Sequence, residues 1–523
     1  MTLTAGTERG SEAGARTVAQ SQPGRVTPPG GGSGPRPRGG SRPDGPHPRR
    51  RIHREAAAAL HRRFWSTLPG RLRLLRAAVL VLSAALALLL ALAGLGASGT
   101  WGTVAGRDAP RTTSAADLDL ALNDMDAQAA NMLLSSGNAG KGRLATPYDK
   151  AVGFYDDARK DIGHDLRTLA VAAQGDRDDE KTVESLTDYF AQYQELIGRA
   201  LENDGRPGGK LAALVDYRMA TDLLQIELLP NARQLVDSNN DAFNSTYDRA
   251  RSALSGQLAA VVALGVCLLA VLGALQWYLA RRFHRVLNPG VLAATVCTLL
   301  AVLLGAQFLS ASAGHLRGAR RDAFDSVVAL SRARATAYDA NADESRYLLD
   351  PDRREQYAKT FLDKSQKLYG IRGATLATYD AGLDRTWQAY RGDQAHPQFT
   401  GEYRRELDNI TFAGERAAAE KTVEAYAVYQ RDDRKIRALV AQGKEREAVA
   451  FCMGWEPGTS NAHFGAYMAA LDELTDINRH HFTASVAAGR SEVTGLLPWG
   501  VGLLLAAGAL TVVGLRPRLA EFR

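Results

Sequence analysis

Apolar positions in this chain follow two patterns. In residues 77–97, 258–280, 290–309 and 496–515 they run together almost without charge. At about 1.5 Å per residue, each run is long enough to cross the roughly 30 Å of hydrocarbon in a bilayer, so four transmembrane helices are predicted. Elsewhere they recur at alternating steps of three and four. Leu118, Leu122, Met125, Ala129 and Met132 keep that rhythm, as do Val183, Leu186, Phe190, Tyr193, Ile197 and Ala200. Phe324, Val328, Ser331, Ala335, Tyr338, Ala342, Ser345 and Leu349 continue it later in the chain. Such stripes are the buried seams of bundled helices, whose opposite faces are expected in water. Further helices are expected from Pro147, and from Pro230 through Leu235, Phe243, Ala250 and Leu254 into the second span. Strand alternation is nearly absent, and turn-like breaks fall at 135–142 and 203–209. The predicted fold class is an all-α membrane protein with two helical bundles outside the bilayer, residues 98–257 and 310–495, at an economical four helices each.

The two bundles read as one unit written twice. D-M-D-A-Q-A-A-N-M-L-L at 124–134 aligns without a gap on D-A-N-A-D-E-S-R-Y-L-L at 339–349. Y-D-K at 148–150 is followed later by Y-A-K at 357–359, and K-T-V-E occurs at both 181–184 and 421–424. Three matches in the same order, each set bracketed by apolar runs, imply an internal duplication of span, bundle and span.

Charge sets the expected orientation. Residues 1–76 hold 15 Arg, no Lys and four acids, for a net +11. The joint at 281–289 carries Arg281, Arg282 and Arg285, and the tail at 516–523 carries a net +2. Short basic segments stay on the cytoplasmic side, so both termini and the joint are expected inside and both bundles outside. The chain's net +7 is therefore a topology signal rather than a nucleic-acid footprint, and no nucleic-acid partner is expected. Residues 1–48, with eight Pro and eight Gly between positions 23 and 48, are expected to be a disordered tail. Residues 49–76 read as a basic juxtamembrane segment.

Chemical motifs are few. No nucleophile elbow, Walker loop, H-E-x-x-H or paired Cys-x-x-Cys is present, so catalysis is not expected, and no cofactor is implied. Asp472, Asp476 and His480, with His463 as a further candidate, would line one helical face as metal ligands, but a solvated acidic face is the simpler reading, and no metal is expected. The four runs contain no Asp, Glu, Lys, Arg or His, which argues against an ion or proton pathway. The sharpest candidates are Asp124, Asp126, Asp339, Asn341, Glu344 and Arg346, beside the repeated seam at matching heights. They read either as a ligand- or partner-contacting girdle or as the solvated face of a bundle helix.

This layout resembles the four-helix-bundle sensor domains of chemoreceptors and histidine kinases. The two signatures and the four-span plan more closely resemble actinobacterial four-span sensor components of the GlnX type. That resemblance implies an extracytoplasmic solute-binding lipoprotein of the glutamine type and a cytoplasmic serine/threonine kinase as partners; the apolar runs add the lipid bilayer, and a second copy of the chain is a further candidate. The expected function is a signal-transducing sensor that detects an external ligand or binding protein. The joint is too short for an output domain, so Arg281, Arg282 and Arg285 are candidate contacts for a cytoplasmic partner. The alternatives are a non-switching envelope scaffold and, less well supported by the spans, a channel or transporter.

Overall fold

The computed structural model describes residues 68–136, 144–283 and 288–520. The expectations placed on residues 1–48, on most of 49–76 and on Arg285 lie outside the described residues. The described chain is helical, and its only β feature is an isolated bridge between Gly370 and Thr400.

Among the described residues four helices are long and apolar enough to cross a membrane. They are α1 (Leu68–Thr103), α6 (Leu229–Phe283), α7 (Pro289–Arg317) and α15 (Leu497–Ala520), which together make this a multi-pass membrane protein. They pack in a ring in the order α1, α6, α7, α15, with opposite members barely touching. Asn288 starts α7 because its side chain accepts from the amides of Gly290 and Val291 at 3.0 and 3.3 Å, while Pro289 supplies a pre-set first turn. The same side chain donates to the Gly514 carbonyl of α15 at 3.0 Å. Gly290 lies there so close to α15 that an added Cβ would sit 2.8 Å from the Gly514 Cα and 3.0 Å from the Leu510 carbonyl oxygen. Both obstacles are backbone. Gly290→Leu is therefore expected to wedge α7 from α15 and cost about 1–3 kcal/mol, read as a lower thermal midpoint of the protein in nanodiscs. An unchanged midpoint would contradict this packing.

Beyond the ring, α1 continues through a π-helical turn (Val104–Asp108) into α2 (Ala109–Ser135). Likewise α7 continues through a π-helical segment (Gly318–Phe324) into α8 (Asp325–Leu349). The first half is completed by α3 (Ala145–Ala172), α4 (Arg177–Asp204) and α5 (Lys210–Leu223), which joins α6 through a third π turn (Leu224–Leu228). Asp176 caps α4 by accepting from the amides of Asp178 and Asp179, with three acids in the first turn facing the positive helix end. The second half contains α9 (Arg354–Leu368), α10 (Tyr379–Gly392), α11 (Glu402–Asp408), α12 (Glu415–Ala441), α13 (Glu445–Met453) and α14 (Ser460–Gly495). The expectation of four helices per bundle holds for the first half alone. The second adds the short helices α10, α11 and α13 between its long ones, and they carry much of its aromatic core, including Tyr379, Trp387, Tyr390 and Tyr403.

The pairing of α2 with α8 decides the rest of the fold. Each is covered by its own half on one side and by the other half's central helix on the next. As a result 20 of the 27 residues of α2 and 17 of the 25 residues of α8 are buried, polar ones included. A small apolar cluster of Leu134, Leu348, Ile436, Val449 and Cys452 closes the membrane-distal end across the two halves.

A candidate functional site: the buried charge network between the halves

Burial on all sides forces the polar residues of α2 and α8 to satisfy one another, because an unpaired buried charge costs several kcal/mol. Arg346 of α8 is 1% exposed and reaches across to Asp126 of α2, which is fully buried, at 2.5 Å. Its other terminal nitrogen meets Asp343 at 2.5 Å and Asp339 at 3.4 Å. Lys364 of α9 closes the circuit, 2.8 Å from Asp339 and 2.6 Å from Asp343. Hydroxyls occupy the remaining lone pairs of Asp126: Tyr193 donates to it at 2.7 Å, Tyr217 at 3.3 Å and Thr221 at 3.4 Å. Gln225, in the π turn entering α6, donates to Asp339 at 3.0 Å. Burial alone would raise the Asp339 carboxyl, but Lys364, Arg346 and Arg233 outweigh it and hold it at about 2. Ser345 adds a second link between the halves by donating to Asn131 at 2.6 Å.

Of the six candidate residues, three meet in this network: Asp126, Asp339 and Arg346. Asn341 and Glu344 turn into the second half instead, where the Tyr429 hydroxyl donates to Glu344 at 2.9 Å and Asn341 reaches the same oxygen at 3.4 Å. Burial, then the nearby Asp433 carboxylate, pushes the Glu344 carboxyl well above its ordinary range. Asp124 faces the other side of α2, where burial lifts it to about 6 despite the hydrogen bond from Gln128. A solvated face would place these groups at the surface, whereas the structure buries all but Asp124, which is partly exposed. The reason is the α2–α8 contact, which covers the faces that each bundle alone would leave open. Tyr217, Asp343 and Lys364 were not singled out in the sequence. Asp343 lies within the repeated signature and was legible there, but nothing local marks Tyr217 or Lys364.

Further pairs join the halves around this centre. Arg218 of α5 holds Asp350 and Asp352, and Arg353 grips Asp222 with both terminal nitrogens at 2.9 and 3.2 Å. The candidate output residues sit at the opposite end of the molecule. Arg281 is exposed in the last turns of α6, with its guanidinium 5.3 Å from the Trp277 ring centre, and Arg282 follows it in the same helix. Among the described residues no three His, Cys, Asp or Glu side chains are arranged to hold a metal. Asp472 is engaged by Arg334 at 2.5 Å and His463 by Asp432 at 2.6 Å.

No curated protein and no solved structure matches the chain. Residues 100–248, which contribute Asp126, Tyr193, Tyr217 and Gln225 to the network, match the family model described as the actinobacterial sensor domain, and this similarity supports a sensor role.

Proposed function

We propose that this protein is an integral-membrane sensor in which binding to the membrane-distal region changes how α2 packs on α8, and the change passes along both helices into the bilayer. The observation that carries the reading is Arg346, a buried cation of one half whose carboxylate partner Asp126 belongs to the other. Each central helix is continuous with a span: residues Gly70–Ser135 and Pro289–Leu349 run as unbroken helical paths of 66 and 61 residues. At about 1.5 Å per residue such a path measures roughly 90–100 Å, so a small slide or rotation at the tip is delivered to the far end. Both paths contain a π-helical turn, Val104–Asp108 and Gly318–Phe324, and such turns recur at functional sites. A solute-binding lipoprotein on the outside and a serine/threonine kinase inside are the partners this reading assigns, with the joint at Arg281, Arg282 and Arg285 as the kinase contact.

The test locks the switch without needing the ligand. Asn131→Cys with Ser345→Cys should form a disulfide across the two halves, since their side chains touch. Spin labels at positions 281 and 516 then report the distance between the inner ends of α6 and α15 in nanodiscs. The sensor reading expects the oxidised lock to shift or narrow that distance distribution relative to the reduced protein. An identical distribution in both states would favour the static scaffold.

A further inference from the structure

Beside the network, α6, α8, α9 and the chain around Thr400 line a cleft of about 710 Å³, open to solvent on one side and within the size range of small-molecule sites. On the other side of the α2–α8 pair, between α2, α3 and α8, lies a second cavity of about 380 Å³. The two are repeat counterparts. In the register that aligns Asp124 with Asp339, Asp117 and Ala121 fall on Arg332 and Thr336, and these two trios line the smaller and larger cavity respectively. Asp119 falls on Arg334, and each reaches across into the other cavity. Even the ion pairs correspond with their signs exchanged. Arg233 of α6 meets Asp119 of α2 at 3.4 Å, while Asp472 of α14 meets Arg334 of α8 at 2.5 Å.

The duplicated cavities have diverged in charge. The smaller collects Asp117, Asp124, Asp161 and Asp165 around the single arginine Arg334, which Asp472 already engages. In the larger one every carboxylate has a cation: Asp237 has Arg332, Asp339 has Lys364 and Glu402 has Arg405, besides the Asp119–Arg233 pair. One cation is left over and one is weakly engaged. Lys367 lines the cavity, is exposed and has no carboxylate partner among the described residues. Arg233 is half exposed and held only loosely, at 3.4 Å from Asp119 and 4.0 Å from Asp339.

We propose that the larger cavity is the input site of the sensor and binds a small anion carrying two carboxylate groups or a phosphate, held between Arg233 and Lys367. This rests on the sensing reading above and adds the ligand's chemistry and place. An anion that draws Arg233 away from Asp339 leaves that carboxylate with Arg346 and Lys364 as its cations beside the Gln225 amide, so occupancy alters the network that joins the halves.

The experiment is calorimetric titration of the full chain in nanodiscs of zwitterionic lipid, with succinate, inorganic phosphate and putrescine as probes. Succinate or phosphate is expected to bind, and which of them binds identifies the anionic group. Arg233→Gln and Lys367→Gln should each weaken binding about tenfold or more, since each removes a charge-assisted hydrogen bond. Asp124→Asn, in the acidic counterpart, should leave the affinity unchanged. Binding of putrescine in place of the anions, absence of binding by all three probes, or anion binding that neither substitution weakens would overturn the proposal. Anion binding with no shift in the 281–516 distance would leave the site standing and remove the sensing role. A distance shift on locking without anion binding would do the reverse.

Discussion

Arg346→Met is expected to destabilise the folded protein by about 3–5 kcal/mol, the range for breaking a buried ion pair by removing one partner. The loss falls mainly on one carboxylate. Asp343 keeps Lys364 at 2.6 Å and the Thr360 hydroxyl at 2.7 Å, and Asp339 keeps Lys364 at 2.8 Å. Asp126 keeps only the hydroxyls of Tyr193, Tyr217 and Thr221, and no cation. Adding Asp126→Asn to the methionine variant should therefore recover much of the loss, because an amide can accept from Tyr193 without carrying a buried charge. Unfolding in mixed detergent micelles measures both variants. If the double variant were as unstable as the sum of the two single ones, the two side chains would not be coupled, and the network would not be what holds the halves together.

The second large effect concerns pH. Glu344 is 1% exposed, and burial followed by the Asp433 carboxylate raises its carboxyl well above the ordinary 4.5. A carboxyl whose folded-state value is raised favours the folded state while protonated. Its contribution is fully present below about 4.5 and is lost as pH climbs toward the raised value. Asp433 is raised too, by burial, and Glu406 is raised to about 7 by burial and then by Glu415, so both add to the same decline. Asp339, held at about 2, acts in the opposite sense, but its contribution is lost only in acid below this window. The protein should thus lose stability between pH 5 and pH 8. Glu344→Gln, which keeps an acceptor for Tyr429 without the charge, should be more stable than the parent at pH 8 and show a shallower slope. Parallel stability curves for the two proteins across that range would show that Glu344 is not the group titrating.

Much of the architecture could be read from periodicity. The four charge-free runs at 77–97, 258–280, 290–309 and 496–515 lie in the four membrane-competent helices, and the helix expected from Pro230 into the second span is the 55-residue α6. The site was legible only in part. The repeated signature drew attention to Asp126, Asp339 and Arg346 but left them as either a ligand- or partner-contacting girdle or a solvated face, because a seam at steps of three and four leaves an opposite face that is wet in a lone bundle. Each half read alone would have that wet face. Tyr193 was visible as an apolar seam position, yet its hydroxyl matters as much as its ring, since it donates to Asp126.

The sequence by itself determined the helices and the four runs able to enter the bilayer, and it implied the doubling of the unit. These follow from local quantities: run length, spacing of apolar residues, and motifs recurring in one order. Only the tertiary structure decided that α2 and α8 pack on each other, and with that contact the meaning of every polar residue on them changed. Long-range pairing in space leaves no local trace, so Lys364 and Tyr217, distant in sequence from both signatures, become partners of buried charges only when the halves meet. A buried charge must find its opposite nearby, and for Arg346 that opposite belongs to the other half of the chain.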